Sequence, residues 1–233
     1  MVQIGAKGCA VTAIVHRDEV TLIDAGARGS LPLISRGLEA AGLHLSRVRH
    51  VVLTHYHPDH SGGLGELVRA TGARVAAHST EADIYTGQGL APNPFRWRPY
   101  AVAARPFLRY AYGNPVEIDW RLGDGDRLPW LDGIDVIHVP GHTAGSISLY
   151  VRAHRALVVG DALQFRFGRL TGPASAVTRD PALALLSIRK LLAVDFDTIC
   201  FSHFRPLSQG AAAFVRRFVE RSSRAEPPTA REI

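Results

Sequence analysis

Residues 55–60 read His-Tyr-His-Pro-Asp-His and directly follow the apolar run at 51–53. Neutral imidazole and carboxylate groups are preferred ligands of cations such as Zn²⁺, so a strand that delivers four of them to its end indicates a metal site. The first two histidines are two positions apart and face the same side of an extended chain. Pro58 forces a turn that lets the next aspartate and histidine reach a second position. The stretch therefore predicts two adjacent metal ions.

A histidine-rich surface loop is the competing interpretation of residues 55–60. Without an ion, crowding four such side chains together would cost charge repulsion and desolvation. We therefore favour the metal site.

This stretch resembles the HxHxDH signature of the metallo-β-lactamase fold superfamily, and the resemblance covers about residues 8–210. It implies an α/β fold, a four-layer αββα sandwich of two mixed β-sheets flanked by helices. It also implies two zinc ions, with iron or manganese as alternatives. By resemblance, His55, His57 and His142 would hold one ion, Asp59, His60 and His203 the other, and Asp161 would bridge them. Asp59 is also the candidate catalytic residue, as a proton acceptor.

The three distant ligands each follow a short apolar run typical of a buried strand. His142 comes after the run at 134–139, Asp161 after 157–159, and His203 after 198–201. Singly, an aspartate after glycine is usually a turn residue, and a lone histidine is usually just partly buried. Their joint occurrence in family order at strand ends is what favours the metal interpretation.

Asp24 also follows an apolar run, at 20–23. The family has an acidic residue at this strand end, and such a carboxylate would orient a metal ligand. A turn-forming aspartate before Ala-Gly is an equally good interpretation. The remaining histidines are interpreted as surface or packing residues, although His138 stands on the strand that leads to His142. They are His16, His44, His50, His78, His138 and His154.

The segment at 85–115 interrupts the alternation of strands and helices and is long for a simple connection. It is rich in aromatic residues and arginine, which suits a cap over the metal edge that encloses an apolar group and pairs with a carboxylate. The candidate substrate-binding residues are Tyr85, Trp97, Tyr100, Arg105, Arg109 and Tyr112. A packing segment or the contact of a homodimer explains the composition equally well.

Apolar periodicity predicts the remaining elements. Alternation at 11–15 and 20–23 predicts a hairpin, and Ser30 is predicted to cap a helix that ends near Ala41. Further strands are predicted at 48–53, 74–77, 116–120, 134–139, 147–151, 156–159 and 198–201. Further helices are predicted at 64–70, from 181 to about 192 with Asp180 as the N-cap, and at 208–222.

The length and composition are those of a globular protein, with 46% hydrophobic and 21% charged residues among 233. We expect one domain over 1–225, with the inserted segment at 85–115, and a flexible tail at 226–233. No apolar stretch approaches the ~20 residues that cross a bilayer, and the first eight residues do not resemble a signal peptide. We therefore expect a cytoplasmic protein.

The net charge of +6 admits a nucleic-acid partner. The cations are spread along the chain and are nearly all arginine, a bias that genome composition also produces, so we do not expect such a partner. The two cysteines indicate no disulfide framework.

The expected function is hydrolysis of a small-molecule ester, thioester or lactone by a hydroxide bridging two zinc ions. The family's main β-lactamases are expected to carry cysteine where Asp161 stands, and the chain lacks room for the extra domains of RNA-processing and glyoxalase II relatives. A mononuclear iron dioxygenase of the persulfide type and a nucleic-acid-processing phosphodiesterase are the alternatives. A non-catalytic metal-binding protein is the third.

Overall fold

The computed structural model describes residues 1–128 and 133–224, apart from the side chains of Arg109 and Arg224. The predicted tail at 226–233 lies outside the described residues.

The first sheet has six strands in sequence order. Its first three strands pair antiparallel and the rest are added parallel, so the sheet is mixed. The strands are β1 (Val2–Gly5), β2 (Ala10–His16), β3 (Glu19–Ile23), β4 (Val48–Val52), β5 (Arg74–His78) and β6 (Trp120–Leu122). Because β3 and β4 run parallel, with Ile23 opposite Val52, the residues that follow both strands emerge at the same edge.

The second sheet is also mixed. Its strands are β7 (Arg127–Leu128), β8 (Ile134–His138), β9 (Ile147–Val151), β10 (Ala156–Val158), β13 (Thr198–Cys200) and β14 (Leu207–Ser208), and β11 (Gln164–Arg166) pairs with β12 (Arg169–Thr171) in a separate hairpin. The order across the sheet is β14-β13-β10-β9-β8-β7, and within it β10 and β13 are the parallel pair.

Helices flank the two sheets. They are α1 (Leu31–Ala40), α2 (Pro58–Ser61), α3 (Leu64–Thr71), α4 (Ala82–Thr86), α5 (Arg98–Ala111), α6 (Pro181–Ser187) and α7 (Ala211–Arg224). Short 3₁₀ turns occupy Leu45–Arg47, Arg152–His154, Ser175–Val177 and Ile188–Ala193. Among residues 1–128 and 133–224, no helix has the length and apolar character needed to span a membrane.

Three clusters of buried apolar side chains set the order of the layers. The neighbours Val51 and Val52 point to opposite faces of β4, as the two-residue period of a strand requires. Val51 joins the cluster that α1 and α3 cover, whereas Val52 faces the second sheet. On the second sheet, Val158 enters this central layer and Leu157 packs under α7. The predicted αββα sandwich of two mixed sheets is confirmed.

Several predicted boundaries differ from the structure. Ser30 precedes α1, but its side chain makes no capping hydrogen bond, because the hydroxyl accepts the backbone N–H of Lys7 at 3.0 Å. Asp180 does cap α6, where Oδ1 accepts the N–H of Leu183 at 2.9 Å. That helix ends at Ser187 and tightens into a 3₁₀ turn. The last helix begins at Ala211, after β14, and the strand predicted at 116–120 is β6, at Trp120–Leu122.

Candidate metal centre

Strand ends carry the predicted metal-site residues to one edge of the sandwich. Asp24 follows β3 and His55 lies just beyond β4 in the first sheet. His142 lies beyond β8, Asp161 beyond β10 and His203 beyond β13 in the second. Both sheets therefore supply side chains to the same place.

The first group of donor atoms belongs to His55, His57 and His142. Nε2 of His142 lies 3.2 Å from Nε2 of His55 and 2.9 Å from Nδ1 of His57. The three residues are at most 3% exposed. Three nitrogens this close together form a cluster that one cation could contact.

The second group belongs to Asp59, His60 and His203, whose donor atoms lie within 4.8 Å of one another. Oδ2 of Asp59 is 3.5 Å from Nε2 of His203 and 3.7 Å from Nε2 of His60. Asp161 lies between the two groups. Its Oδ1 is 3.1 Å from Nε2 of His203 and 3.3 Å from Nε2 of His60, and its Oδ2 is 3.6 Å from Nε2 of His142.

Asp24 is hydrogen-bonded to residues of the donor groups and of the strand end that carries them. Its carboxylate accepts the backbone N–H of Thr54 at 2.8 Å and the Thr54 hydroxyl at 2.9 Å. Nδ1 of His60 lies 2.8 Å from Oδ2 of Asp24. A carboxylate can only accept, so Nδ1 of His60 donates to Asp24, and Nε2 is the nitrogen that faces the cluster.

Two hydroxyl groups orient the other histidines in the same way. The Thr54 hydroxyl donates to Asp24, so it accepts from Nδ1 of His55 at 3.1 Å. The Thr178 hydroxyl donates to the carbonyl of Ala174 at 2.8 Å, so it accepts from Nδ1 of His142 at 3.0 Å. In both imidazoles, Nε2 is left with a lone pair that points into the cluster.

Burial and neighbouring charges set the protonation of the cluster. Burial lowers the pKa of His142 to about 4, and burial together with the nearby imidazoles holds the pKa of His55 and His57 well below the ordinary value. These three histidines are therefore neutral near pH 7, the form that binds metal. Burial would lower the pKa of His60 too, but the Asp24 and Asp161 carboxylates together outweigh it and raise that pKa well above the ordinary value, so a metal ion would have to displace a proton from Nε2 of His60.

The donor set fits a cation. Nε2 of His60 and Oδ1 of Asp161 are buried and make no regular hydrogen bond to any described residue. Lone pairs on Nε2 of His55 and Nε2 of His142 face each other across 3.2 Å with no proton between them. Buried acceptors in such contact are costly unless a positive charge joins them. Divalent ions would supply that charge at both groups.

An apolar pocket of about 370 Å³ opens beside the cluster and includes His57, Asp59 and Asp161 in its wall. Helix α5, the main element of the predicted inserted segment, forms one side. Phe107 and Leu108 of α5 line the pocket, and Phe95 lines it from the preceding loop. The inserted segment therefore lies next to the two groups of donor side chains, which we call the metal cluster.

Five of the six predicted substrate-binding residues have described side chains, and none of these five lines this pocket. Trp97 and Tyr100 are 62% and 55% exposed, and Arg105 is also exposed. Tyr85 is buried in the core, and Tyr112 donates to the carbonyl of Pro92 at 3.2 Å. Both line a separate cavity of about 780 Å³. The side chain of Arg109 lies outside the described residues. A role for these six residues stays a prediction.

His138 does not belong to either donor group of the described chain. Its ring stacks on that of His78 at a centroid distance of 4.0 Å, and its Nε2 lies 2.9 Å from the carbonyl of Ala144. The pair joins β5 of the first sheet to β8 of the second. His138 is thus a packing residue at the base of the loop that carries His142.

Glu81 is a further residue that the sequence did not suggest. It is 2% exposed, and its Oε1 accepts the backbone N–H of Gly145 at 2.8 Å. This bond ties the start of α4 to the loop that carries His142. Thr54 and Thr178 were equally unforeseen. Thr54 directly precedes the histidine motif, and this position could have suggested that its hydroxyl orients a histidine. Thr178 and Glu81 lie in stretches of sequence that carry no such signal.

The family model of the metallo-β-lactamase superfamily matches residues 4–203. Because the match covers most of the chain, including every residue of the two donor groups, the protein belongs to the metallo-β-lactamase superfamily. The family expected from the HxHxDH stretch is thereby confirmed.

Named relatives add detail. The chain is 33% identical over 188 residues to a hydroxyacylglutathione hydrolase of Cereibacter sphaeroides, a match covering 79% of this chain and 57% of that protein. The chain thus spans little more than half the length of this relative. It is 29% identical over 201 residues to the probable metallo-hydrolase YflN of Bacillus subtilis, covering 80% and 76%. The crystal structure of TTHA1623 in a di-iron-bound form superposes with a TM-score of 0.65 at 25% identity, covering 91% and 96%.

Proposed function

We propose that this protein is a binuclear metal-dependent hydrolase of a small-molecule ester, thioester or lactone. The observation that carries the proposal is the convergence of seven side chains from both sheets on two adjoining clusters of donor atoms. They are His55, His57, Asp59, His60, His142, Asp161 and His203. Zinc is the first candidate for both positions because imidazole and carboxylate suit it.

In the proposed site, His55, His57 and His142 would hold one ion, Asp59, His60 and His203 the other, and Asp161 would contact both. When bound, two such ions lower the pKa of a shared water toward neutrality and polarise a carbonyl oxygen. The chain's own residues fix the geometry. Asp24, Thr54 and Thr178 hold the imidazoles in one tautomer through the bonds at Nδ1.

Asp59 is the proposed proton acceptor. Its Oδ2 faces His203 and His60, and its side chain is 36% exposed and borders the apolar pocket. Asp161, 8% exposed on its side chain, lies deeper and faces ligands with both oxygens.

The relatives support hydrolysis without fixing the substrate. The name of the Cereibacter sphaeroides protein describes hydrolysis of a hydroxyacylglutathione, and YflN is named as a probable metallo-hydrolase. The di-iron form of TTHA1623 supports two metal positions and keeps iron as an alternative to zinc.

Elemental analysis of the purified protein, followed by a substrate screen, tests the proposal. We expect about two divalent ions per chain and metal-dependent hydrolysis of thioesters, lactones or carboxylic esters. About one iron per chain with oxygen uptake would overturn the proposal in favour of the dioxygenase. Turnover confined to phosphodiesters, with binding that weakens steeply with salt, would favour the nucleic-acid alternative.

A further inference from the structure

The pocket beside the metal cluster is apolar everywhere except at the cluster itself. Ala104, Phe107, Leu108 and Ala111 of α5 line it, a spacing that places all four on one face of a helix. Val177 closes it from the other side. Among its described lining residues, the polar or charged side chains are those of the metal centre, His57, Asp59 and Asp161.

Helix α5 is fixed to the metal loop at its C-terminal end. A Cβ on Gly62 would lie 2.4 Å from the carbonyl oxygen of Ala111, and a Cβ on Gly113 would lie 2.5 Å from the carbonyl oxygen of Gly62. Backbones can approach this closely because neither residue has a side chain. Gly113 also has φ +72°, which disfavours other residues. The helix that walls the pocket is therefore held directly against α2, which carries Asp59 and His60.

The loop before α5 is fixed to the other side of the site. The backbone N–H of Arg96 donates to the carbonyl of Ala176 at 3.1 Å. Ala176 belongs to the turn at Ser175–Val177, which precedes Thr178, the residue that supports His142. Both ends of the pocket wall are thus attached to segments that orient metal ligands, so the pocket keeps a fixed position relative to the cluster.

We infer that this pocket receives the acyl group of the substrate, and that the acyl group is an uncharged hydrocarbon chain. This inference rests on the proposed function. An ionised group on the acyl chain would have to leave water among apolar walls with no Lys or Arg among the described lining residues, so its desolvation would be uncompensated. A hydrocarbon chain gains from every methylene that leaves water.

A second groove near the donor groups could receive the leaving group. A more open groove of about 540 Å³ lies at His203 and includes Gln3, Ser202 and Arg205. Its described lining includes polar as well as apolar groups, and His203 is the residue of the donor groups among them. A scissile carbonyl at the metal centre would thus direct its acyl chain toward α5 and its leaving group toward this groove.

The test compares acetyl, butanoyl and hexanoyl thioesters of one small thiol, 2-mercaptoethanol, with the metal-loaded protein. We expect kcat/KM to rise by about fourfold for each methylene added to the acyl chain until the pocket is full. Lengthening the thiol at constant acyl group should have a smaller effect. No dependence on acyl length, or dependence on the thiol alone, would overturn the inference while leaving the hydrolase proposal intact.

Two variants test whether this pocket causes the dependence of kcat/KM on acyl-chain length. Ala104→Phe fills the pocket from α5 and should lower the ratio of hexanoyl to acetyl kcat/KM by about tenfold or more, since several methylenes lose their place. Ala103→Phe adds the same group on the exposed side of the same helix and should leave the ratio as in the wild type. Equal ratios in both variants would show that the acyl chain lies elsewhere.

A binding measurement separates this inference from catalysis. Titration calorimetry of acetate, butanoate and hexanoate into the metal-loaded protein should give tighter binding with chain length in wild type and Ala103→Phe, and a flatter series in Ala104→Phe. This result without hydrolysis of any thioester, lactone or carboxylic ester would refute the proposed function but keep the pocket as a binding site for a hydrocarbon chain. A flat wild-type series would refute the pocket assignment whatever the turnover.

Discussion

Nδ1 of His142 lies 3.0 Å from the hydroxyl oxygen of Thr178, and that hydroxyl donates to the carbonyl of Ala174. The imidazole is thereby fixed in the tautomer that presents Nε2 to the metal cluster. A threonine 36 positions along the chain controls the orientation of a proposed ligand.

Replacing Thr178 by valine should weaken metal binding. Valine keeps the shape but provides no acceptor for Nδ1 of His142, and loss of such a supporting bond typically costs about 10–100-fold in metal affinity. Thr178→Ser retains the hydroxyl and should bind within a few-fold of the wild type. Competition with a chromophoric chelator measures both affinities. Equal affinities for the valine and serine variants would contradict the assigned support.

Asp24→Asn should also weaken metal binding, by about 10–100-fold, because the amide cannot accept from His60 and both Thr54 groups as the carboxylate does. Asp24 has φ +67°, and asparagine tolerates this conformation, so the backbone should be preserved. Asp18→Asn, at a surface ion pair with Arg47, is the matched control. The same chelator competition applies, and an Asp24→Asn protein with wild-type affinity would show that Asp24 only forms a turn.

Glu81→Ala should lower the free energy of unfolding by about 1–3 kcal/mol, because it leaves the buried N–H of Gly145 without its acceptor. Glu81→Gln keeps an amide oxygen there and should cost less. Tyr85→Phe removes only a 3.4 Å contact to Glu81 and should cost least of the three. Urea unfolding of the metal-free proteins measures the loss in the free energy of unfolding for each variant. A Tyr85→Phe protein as unstable as Glu81→Ala would contradict the predicted order.

His78 should make the fold less stable in mild acid. Burial and then the neighbouring His138 lower the pKa of His78 to about 4 in the folded state, against about 6.5 in the unfolded chain. Between these values the unfolded chain binds a proton that the folded chain does not, so stability falls as pH drops through this window and levels off below it.

Urea unfolding with a chelator present measures this effect. His78→Asn should lose less stability than the wild type between about pH 7 and pH 4. His44→Asn, which replaces an exposed histidine, is the control. Parallel pH profiles for the wild type and His78→Asn would contradict the low folded-state pKa.

The sequence was sufficient for the family, because the HxHxDH stretch is a local pattern, and the layers followed from that resemblance, because periodicity alone predicts only mixed helices and strands. Strand periodicity predicted β4, and the spacing within residues 55–60 predicted donor side chains at its end, which the structure brings together with those of His142, Asp161 and His203. Helix α5 and the pocket that it lines were not predicted, because Pro106 inside α5 is a residue that usually breaks a helix and so weakens the helical pattern that Ala104 and Leu108 share. Thr178 and Glu81 act through tertiary contacts that have no pattern in sequence.

The most direct test of the two-ion centre is anomalous X-ray scattering from a crystal of the metal-loaded protein, recorded at the absorption edge of the bound element. We predict two peaks about 3.5–4 Å apart, one among His55, His57 and His142 and the other among Asp59, His60 and His203, with Asp161 in contact with both. A single peak, or peaks away from these side chains, would contradict the proposed centre.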